Sequence, residues 1–367
     1  VQLVALHGYP VQTIAVTTAD GYDLAIHRIP FGRNSAHNRL NRPAVFLQHG
    51  LLASSADWVI NLPHQSLGFL LADAGFDVFM GNVRGNVYSR EMTNKTRAGK
   101  KAYWSFSWDE MARFDLPAML EKALAVSGQS SLYYVGYSQS SLSPFFSLSR
   151  APYPLFLSLY LSLSVYLSHS LSLFIPLSHY LFFPSKFFER EVGDEEFLPS
   201  SFFQRLMAKA LCGIFSFTNP LCSNVLFQMV GPNTKQLNQT RLLVYLSHLP
   251  AGTSTQNIVH WAQMAVGGIL FYSFIQRRSY TKNFLQQQPQ QKDFSRVNVP
   301  TSLYFSDADW MADSQDVQKL LSRLPALIIS VARSLPAFNH IDFVYGERAA
   351  KEIYREIISD MLADHAN

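Results

Sequence analysis

Three residues able to cooperate in hydrolysis follow one another along the chain in the order serine, aspartate, histidine. Ser138 lies in Gly136-Tyr137-Ser138-Gln139-Ser140, directly after an apolar run, and Asp309 follows a second apolar run. His340 precedes the last helical pattern of the chain. A serine becomes a nucleophile when a histidine takes its proton and a carboxylate orients that histidine. We therefore predict Ser138 as the nucleophile, His340 as the general base and Asp309 as its partner.

Each of these residues also has a purely structural interpretation when it is taken alone. Asp309 could cap a turn, and His340 could be a loop histidine without a chemical role. The serine needs a tight strand-to-helix turn with small residues two positions before and after it. Gly136 meets this need, whereas Ser140 adds a side chain at a crowded contact, so we expect a strained turn. The common order and the matching elements favour the catalytic interpretation.

An acyl transfer also needs backbone N–H groups that face the developing oxyanion. The residue after the nucleophile, Gln139, supplies one of these groups. The loop Gln48-His49-Gly50-Leu51-Leu52 follows an earlier apolar run and bends at a glycine. We predict Leu51 as the second donor and interpret His49 as a structural residue of that loop.

Continuous apolar runs of strand length are typical of buried parallel strands. Four such runs end in turns that contain Gly, Asn, Ser or Asp, and a fifth candidate follows them: Ala44–Leu47, Asp77–Met80, Leu132–Val135, Thr301–Phe305 and Leu327–Val331. The segments Val11–Thr17 and Tyr22–Ile29 flank Asp20-Gly21 and predict an antiparallel hairpin at the edge of the sheet.

Helical patterns lie between the predicted strands. The clearest one runs from Leu116 to Leu124, with Asp115 as a candidate N-cap, Pro117 in the first turn and Gly128 as a stop signal. A further apolar stripe begins at Leu67, and the last one is formed by Tyr354, Ile357, Ile358, Met361 and Leu362. This alternation predicts an α/β fold with a central, mostly parallel sheet.

The alternation is interrupted in the middle of the chain by segments that are helix-like, aromatic and rich in Pro and Gly. We expect the chain to comprise an N-terminal core part, residues 1–165, an inserted helical cap, residues 166–295, and a C-terminal core part, residues 296–367. The Gln-rich stretch Gln286–Gln291 is expected to connect the cap back to the sheet.

The segment Ala151–Ser185 is anomalous because it contains no Asp, Glu, Lys or Arg and consists largely of Leu, Ser, Tyr and Phe. Three interpretations remain open on composition alone. It could be a strand followed by the first part of the cap, or low-complexity sequence that is not part of the fold. It could also be a membrane span, although its serines, two histidines and Pro176 make it a poor one. We expect no stable transmembrane anchor.

The composition excludes several classes of protein. With 367 residues, 48% hydrophobic and 15% charged, the chain is neither disordered nor a coiled coil. A net charge of +4 without a basic run or a Cys/His finger argues against a nucleic-acid partner. Motifs for zinc hydrolysis, phosphate loops and dinucleotide binding are missing, so we expect no metal and no cofactor. The sequence gives no clear signal for an oligomeric state.

Two cysteines and two sequons bear on the compartment. Cys212 and Cys222 could close one small loop or remain buried free thiols. Asn94 and Asn238 each begin an Asn-x-Thr triplet, which permits glycosylation in a secretory compartment. The chain begins at Val1 without a Met, so any signal peptide lies outside this sequence.

A series of motifs along nearly the whole chain is similar to one family, the acid lipases of the lysosomal acid lipase and gastric lipase type. In the core they are Gly8-Tyr9-Pro10, Thr18-Ala19-Asp20-Gly21-Tyr22, Phe46–Leu52, Leu70–Val78, Gly81–Asn86 and Ser107–Ala112. In the expected cap they are Pro250–Ser254, Gln256-Asn257 and His260-Trp261, and around the predicted triad they are Asp309–Asp313 and Asn339–Phe343. Their shared order makes chance similarity implausible.

The resemblance implies an α/β-hydrolase fold and a lipase that cleaves triacylglycerols or cholesteryl esters at a lipid–water interface. It implies the same triad, the same oxyanion donors and a mobile helical cap, with no cofactor. It further implies a cap disulfide between Cys212 and Cys222, a glycosylation position near Asn238, and a lysosomal or secreted location.

The chain departs from the family pattern at the nucleophile. The family reads Gly-His-Ser-Gln-Gly, whereas Tyr137 and Ser140 replace the His and the second Gly here. Two other functions therefore stay open. One is a catalytically impaired, lipid-binding relative, and the other is a hydrolase of small soluble esters or peptides.

Overall fold

A computed structural model describes residues 1–34, 41–93, 101–141, 143–144, 157–162, 195–197, 230–267, 294, 297–312 and 314–366. For residues 157–162 and 262–267 it describes the backbone alone. Within these residues, none of the helices is long and apolar enough to cross a membrane.

The described strands form one nine-stranded sheet and one short pair. The strands are β1 Gln12–Thr17, β2 Tyr22–Ile29, β3 Ala44–Gln48, β4 Asp77–Gly81, β5 Glu91–Met92, β6 Leu132–Tyr137, β7 Leu157–Ser162, β8 Glu196–Phe197, β9 Thr253–Ser254, β10 Thr301–Phe305 and β11 Ile329–Ser334. The main sheet has the order β1-β2-β4-β3-β6-β7-β10-β11, with β5 paired to β2. From β4 to β11 all neighbouring strands are parallel to one another. Strand β2 is antiparallel to both of its neighbours in this order, β1 and β4. The predicted α/β fold and edge hairpin are confirmed.

The central strands are continuous apolar runs because both faces of the sheet are covered. Every residue of β3, β4, β6 and β10 is buried. Successive side chains of β3 point to opposite faces, so Phe46 joins one hydrophobic cluster while Val45 and Leu47 join the other. The sheet therefore lies between two hydrophobic clusters, one on each face.

Nine α-helical segments are described around the sheet. They are α1 Gln2–Leu6, α2 Leu67–Asp73, α3 Trp108–Glu110, α4 Leu116–Ser127, α5 Leu242–His248, α6 Thr255–Gly267, α7 Ser314–Leu321, α8 Asp342–Tyr345 and α9 Arg355–His365. Short 3₁₀ turns lie at Ser55–Val59, Ser138–Ser141, Gln239–Arg241 and Ala326–Ile328, and π turns at Met111–Asp115 and Ala350–Tyr354.

Helix α4 begins and ends largely as the sequence predicts, with one correction. Gly128 ends it in the left-handed conformation, φ 71°, and Pro117 lies in the first turn. Asp115 occupies the predicted N-cap position, but its side chain makes no capping hydrogen bond. Its carboxylate instead accepts hydrogen bonds from the backbone and the guanidinium of Arg84.

The fifth predicted strand is displaced along the chain. Leu327–Val331 was expected to be extended, but Ala326–Ile328 forms a 3₁₀ turn and β11 runs from Ile329 to Ser334. This strand lies at the edge of the sheet and its residues alternate between half-buried and exposed. It therefore lacks the continuous apolar run that marks a central strand.

Part of the anomalous segment is a strand of the main sheet. β7 lies between β6 and β10 and is parallel to both, with Leu159 opposite Tyr134 on one side and Thr301 on the other. This agrees with the interpretation of a strand at the start of the segment. The remainder of Ala151–Ser185 lies outside the described residues.

Candidate active site

The predicted site residues lie in loops at one edge of the sheet. Leu51 follows β3, Ser138 follows β6, Asp309 follows β10, and His340 lies beyond β11. These strands are mutually parallel, so their carboxyl ends share one edge, which is where open α/β sheets bind their ligands. Side chains far apart in the sequence thus come together here.

Ser138 directly follows β6 and is the first residue of the 3₁₀ turn Ser138–Ser141. Its φ is 60°, in the left-handed region that residues with a side chain rarely adopt. A Cβ at Gly136 would lie 2.8 Å from the carbonyl oxygen of Ser140, so only glycine fits there. The geometry is that of a nucleophile elbow, which holds a serine above the end of a strand.

Ser140 is accommodated in this turn by its own hydroxyl group. The hydroxyl accepts a hydrogen bond from the Tyr137 N–H at 2.9 Å and lies 2.7 Å from the carbonyl oxygen of Gln48, to which it donates. The turn therefore holds the Ser140 hydroxyl with both a donor and an acceptor from the neighbouring backbone. The left-handed φ belongs to Ser138, and Ser140 fills its space with satisfied polar contacts.

Ser138, His340 and Asp309 form one hydrogen-bonded row. Nε2 of His340 lies 3.1 Å from Oγ of Ser138, and Nδ1 lies 3.0 Å from Oδ2 of Asp309. The other carboxylate oxygen, Oδ1, accepts from the backbone N–H groups of Met311 and Ala312, each at 2.9 Å. With the proton of a neutral imidazole on Nδ1, Nε2 is free to take the proton of the serine.

The loop that carries His340 is fixed from several sides. The backbone N–H of His340 donates to the carbonyl of Val230 at 3.0 Å, and the Tyr137 hydroxyl donates to the carbonyl of His340 at 2.9 Å. The rings of Tyr137 and His340 lie 5.2 Å apart. Tyr137, noted in the sequence only as a departure from a pattern, therefore supports the histidine directly.

The loop after β3 passes closely by the nucleophile. A Cβ at Gly50 would lie 2.6 Å from Cβ of Ser138, so the backbone next to Leu51 approaches the serine without obstruction. His49 is fully buried, and its Nδ1 bonds the carbonyl of Gly50 at 2.8 Å. Nε2 of the same ring accepts from Asn86 Nδ2 at 3.1 Å. Burial lowers the pKa of His49 to about 4, so it stays neutral, as suits a structural residue.

The side chain of Gln139 is held by residues that the sequence analysis did not assign to the site. Its Oε1 accepts from Nδ2 of Asn257 at 2.9 Å and from Nε1 of Trp261 at 2.6 Å. The sequence carried a signal for this shared contact, because the two residues are four positions apart in a helix and therefore lie on one face of it. They belong to motifs that were noted only for their resemblance to the family.

The remaining predicted sites concern modification. Asn238 is half-buried, and its Oδ1 accepts from the backbone N–H of Thr240 at 3.0 Å and the hydroxyl at 2.7 Å. Asn94, Cys212 and Cys222 lie outside the described residues, so the second sequon and the disulfide stay predictions. Among the residues that are described, no three His, Cys, Asp or Glu side chains are grouped to hold a metal ion.

The fold and the elbow define the class of this protein as the α/β-hydrolases. The family model for the alpha/beta hydrolase fold matches residues 43–328, and that for a partial alpha/beta-hydrolase lipase region matches residues 1–62. A thermophilic esterase from Thermogutta terrifontis superposes with a TM-score of 0.50 at 15% identity, covering 96% of this chain and 98% of that one. This structural likeness concerns the fold.

Two relatives define the family more narrowly. Lipase lipl-5 of Caenorhabditis elegans is 44% identical over 97% of this chain and 90% of its own. The gastric triacylglycerol lipase of Homo sapiens is 39% identical over 99% of this chain and 90% of its own. The chain belongs to the lipase family of the α/β-hydrolase fold.

Proposed function

We propose that this chain hydrolyses ester bonds of neutral lipids, triacylglycerols or cholesteryl esters, through an acyl-enzyme formed on Ser138. The observation that carries the proposal is the hydrogen-bonded row from Ser138 Oγ through both ring nitrogens of His340 to Asp309. Side chains more than 200 positions apart would not form this row by local folding alone. The family membership supports the lipid ester as substrate.

The reaction follows from the row of groups. Nε2 of His340 takes the Ser138 proton while Oγ forms a bond to the ester carbonyl carbon, and the N–H groups of Leu51 and Gln139 stabilise the oxyanion. The ester C–O bond then breaks, and His340 gives its proton to the leaving alcohol. Water, deprotonated by His340, attacks the acyl-enzyme, the acid leaves, and the proton returns to Ser138. Asp309 keeps the imidazole oriented and stabilises its charged form.

The substrate and location form the finer part of the proposal. The relatives include gastric triacylglycerol lipases, which supports a long-chain lipid ester at a lipid–water interface as the substrate. A lysosomal or secreted location and a cap at residues 166–295 fit the same membership. Hydrolysis of a long-chain triacylglycerol emulsion at a higher rate than soluble short esters is the expected result.

The test is labelling by a fluorophosphonate probe, which reacts only with an activated serine. We expect the parent chain to be labelled, Ser138→Ala to be silent, and Ser141→Ala, a change in the same 3₁₀ turn, to be labelled still. Folded parent chain that binds lipid without labelling would overturn the proposal in favour of an impaired relative. Labelling combined with equal rates above and below substrate aggregation would instead favour a hydrolase of soluble esters.

A further inference from the structure

The side chain of Gln139 links the nucleophile turn to helix α6. Its Oε1 accepts two hydrogen bonds, from Asn257 at 2.9 Å and Trp261 at 2.6 Å, and its Nε2 lies 3.3 Å from Sδ of Met111. Gln139, Asn257 and Trp261 are all at least nine-tenths buried. Both polar atoms of the Gln139 side-chain amide thus have a partner, and the amide is shielded from water.

The orientation of Asn257 is fixed by its other partners. Its Oδ1 accepts from the backbone N–H of Trp108 at 2.8 Å, and its Nδ2 also donates to Oγ1 of Thr253 at 3.1 Å. An acceptor must face the Trp108 N–H, so the amide nitrogen must face Gln139. Its backbone N–H donates to Oγ of Ser254 at 3.0 Å, which anchors the start of α6.

The same chain segment also contacts the other loop of the oxyanion site. The N–H of Ala251 donates to the carbonyl of Leu52 at 2.6 Å, and the carbonyl of Ala251 accepts from the Val87 N–H at 2.9 Å. Leu52 follows the predicted donor Leu51 and itself has a φ of 59°. Residues 251–261 therefore bond to both loops that carry the oxyanion donors.

A left-handed residue with a side chain persists only where its surroundings hold it in place. Ser138, with φ 60°, is followed directly by Gln139. If the Gln139 side chain lost its two donors, the turn would be free to relax and the Gln139 N–H would rotate. A rotated N–H would no longer point at the position where the oxyanion forms.

We propose that Asn257 and Trp261 are positioning residues that aim the Gln139 N–H at the oxyanion. The inference rests on the proposed function, because it concerns the transition state of that reaction. Stabilisation of the oxyanion is made in the transition state and not with bound ester, so its loss lowers kcat more than it raises KM. A residue that only packs the cap would not produce this split.

The experiment is a double-mutant cycle with Trp261→Phe and Gln139→Met. Trp261→Phe keeps an aromatic ring and removes the N–H donor, while Gln139→Met keeps the length and the backbone N–H but removes Oε1. With a soluble p-nitrophenyl ester, we expect each single change to lower kcat about 3- to 10-fold, with KM changed less than about twofold. In the double variant, Trp261→Phe should add nothing, because its effect acts through Gln139.

Two controls separate this role from a general loss of structure. Trp104→Phe changes another buried tryptophan of the same hydrophobic cluster and should leave kcat near that of the parent. A trifluoromethyl ketone, which forms a tetrahedral adduct, should bind more weakly to Trp261→Phe in proportion to the loss of kcat/KM. An unreactive ether of the same shape should bind equally to both.

Several outcomes would overturn the inference. It fails if Trp261→Phe has the kcat of the parent, if KM alone changes, or if the effects of the two substitutions multiply in the double variant. It also fails if the ketone and the ether weaken equally. In each of these cases the fluorophosphonate still labels the parent chain, so the proposed function stands. An unlabelled parent chain would instead contradict the proposed function itself.

Discussion

At the scale of single residues, Ser140 illustrates how a change in a tight turn is accommodated. Ser140 stands where the motif that the sequence resembles has glycine, and its hydroxyl bonds two backbone groups of neighbouring strand ends, Tyr137 N–H and Gln48 C=O. Removal of one partner from a buried pair leaves the other without water or protein to replace it. The hydroxyl is therefore part of the turn and not an intrusion into it.

We expect Ser140→Ala to lower the free energy of unfolding by about 1–3 kcal/mol, because it strands buried backbone groups of β3 and β6. Ser322→Ala is the matched control, since this exposed hydroxyl also donates to a backbone carbonyl but water can replace it. Denaturant unfolding monitored by tryptophan fluorescence measures both changes. Equal stabilities of the parent and Ser140→Ala would show that the hydroxyl is dispensable.

A second buried residue makes the stability depend on pH. Burial raises the pKa of Asp57 from 3.8 to about 7, and the Tyr345 hydroxyl, which donates to its Oδ1 at 2.9 Å, offsets part of this effect. Between about pH 4 and pH 7 the folded chain therefore holds a proton that the unfolded chain releases. The contribution of Asp57 to stability is greatest below about pH 4 and is lost as the pH rises towards 7.

We expect Asp57→Asn, which keeps the shape without a charge, to remove this dependence. The free energy of unfolding of the parent relative to the variant should fall by a few kcal/mol between pH 4.5 and pH 7.5. The comparison is made between parent and variant because His27 and His49, with pKa values lowered to about 4, act in the opposite direction. A parent–variant difference that is constant with pH would contradict the assignment.

At the scale of elements, the sequence predicts the strands that are buried on both faces and misses those that are not. β3, β4, β6 and β10 are recognised within two residues because each is a continuous apolar run. β11, at the edge, has no such run, so its position was displaced by two residues at its start. β7 was ambiguous because a strand inside a long run of Leu and Ser has no boundary signal.

We expect Leu159→Pro to unfold the chain or lower its stability by more than about 3 kcal/mol, because a central strand has no place for a residue without N–H. Leu159 lies in the middle of β7, with paired strands on both sides. Gln12→Pro, at the first residue of the edge strand β1, is the control and should cost far less. Similar stabilities of the two variants would place residues 157–162 outside the sheet.

At the scale of the whole molecule, the candidate site was foreseen as a set of residues but not as a set of contacts. The order of Ser138, Asp309 and His340 along the chain, together with the strand ends, was enough to predict three residues that the structure brings into one hydrogen-bonded row. The bonds of Gln139 to Asn257 and Trp261 join positions more than a hundred residues apart. Such contacts depend on how the segment containing α6 meets the core, which periodicity and spacing do not specify.

A buried ion group joins three further distant parts of the chain. Arg84, 1% exposed, bonds Asp115 at the start of α4 and Asp20 in the turn between β1 and β2, with its guanidinium 3.8 Å from the ring centre of Tyr22. Asp115 is fully buried, so its charge has no access to water. Loss of one partner from such a group is costly because the other charge stays buried and uncompensated.

We expect Arg84→Met to lower the free energy of unfolding by about 3–5 kcal/mol, and Arg84→Lys to fall between that variant and the parent, since lysine keeps the charge but loses the planar fork. The decisive variant adds Asp115→Leu to Arg84→Met. It removes the stranded carboxylate, so the double variant should be more stable than Arg84→Met alone, although it has lost both charges. Denaturant unfolding of the four chains gives these differences. A double variant less stable than Arg84→Met would mean that Asp115 contributes through its bond to the Arg84 N–H and not through its charge.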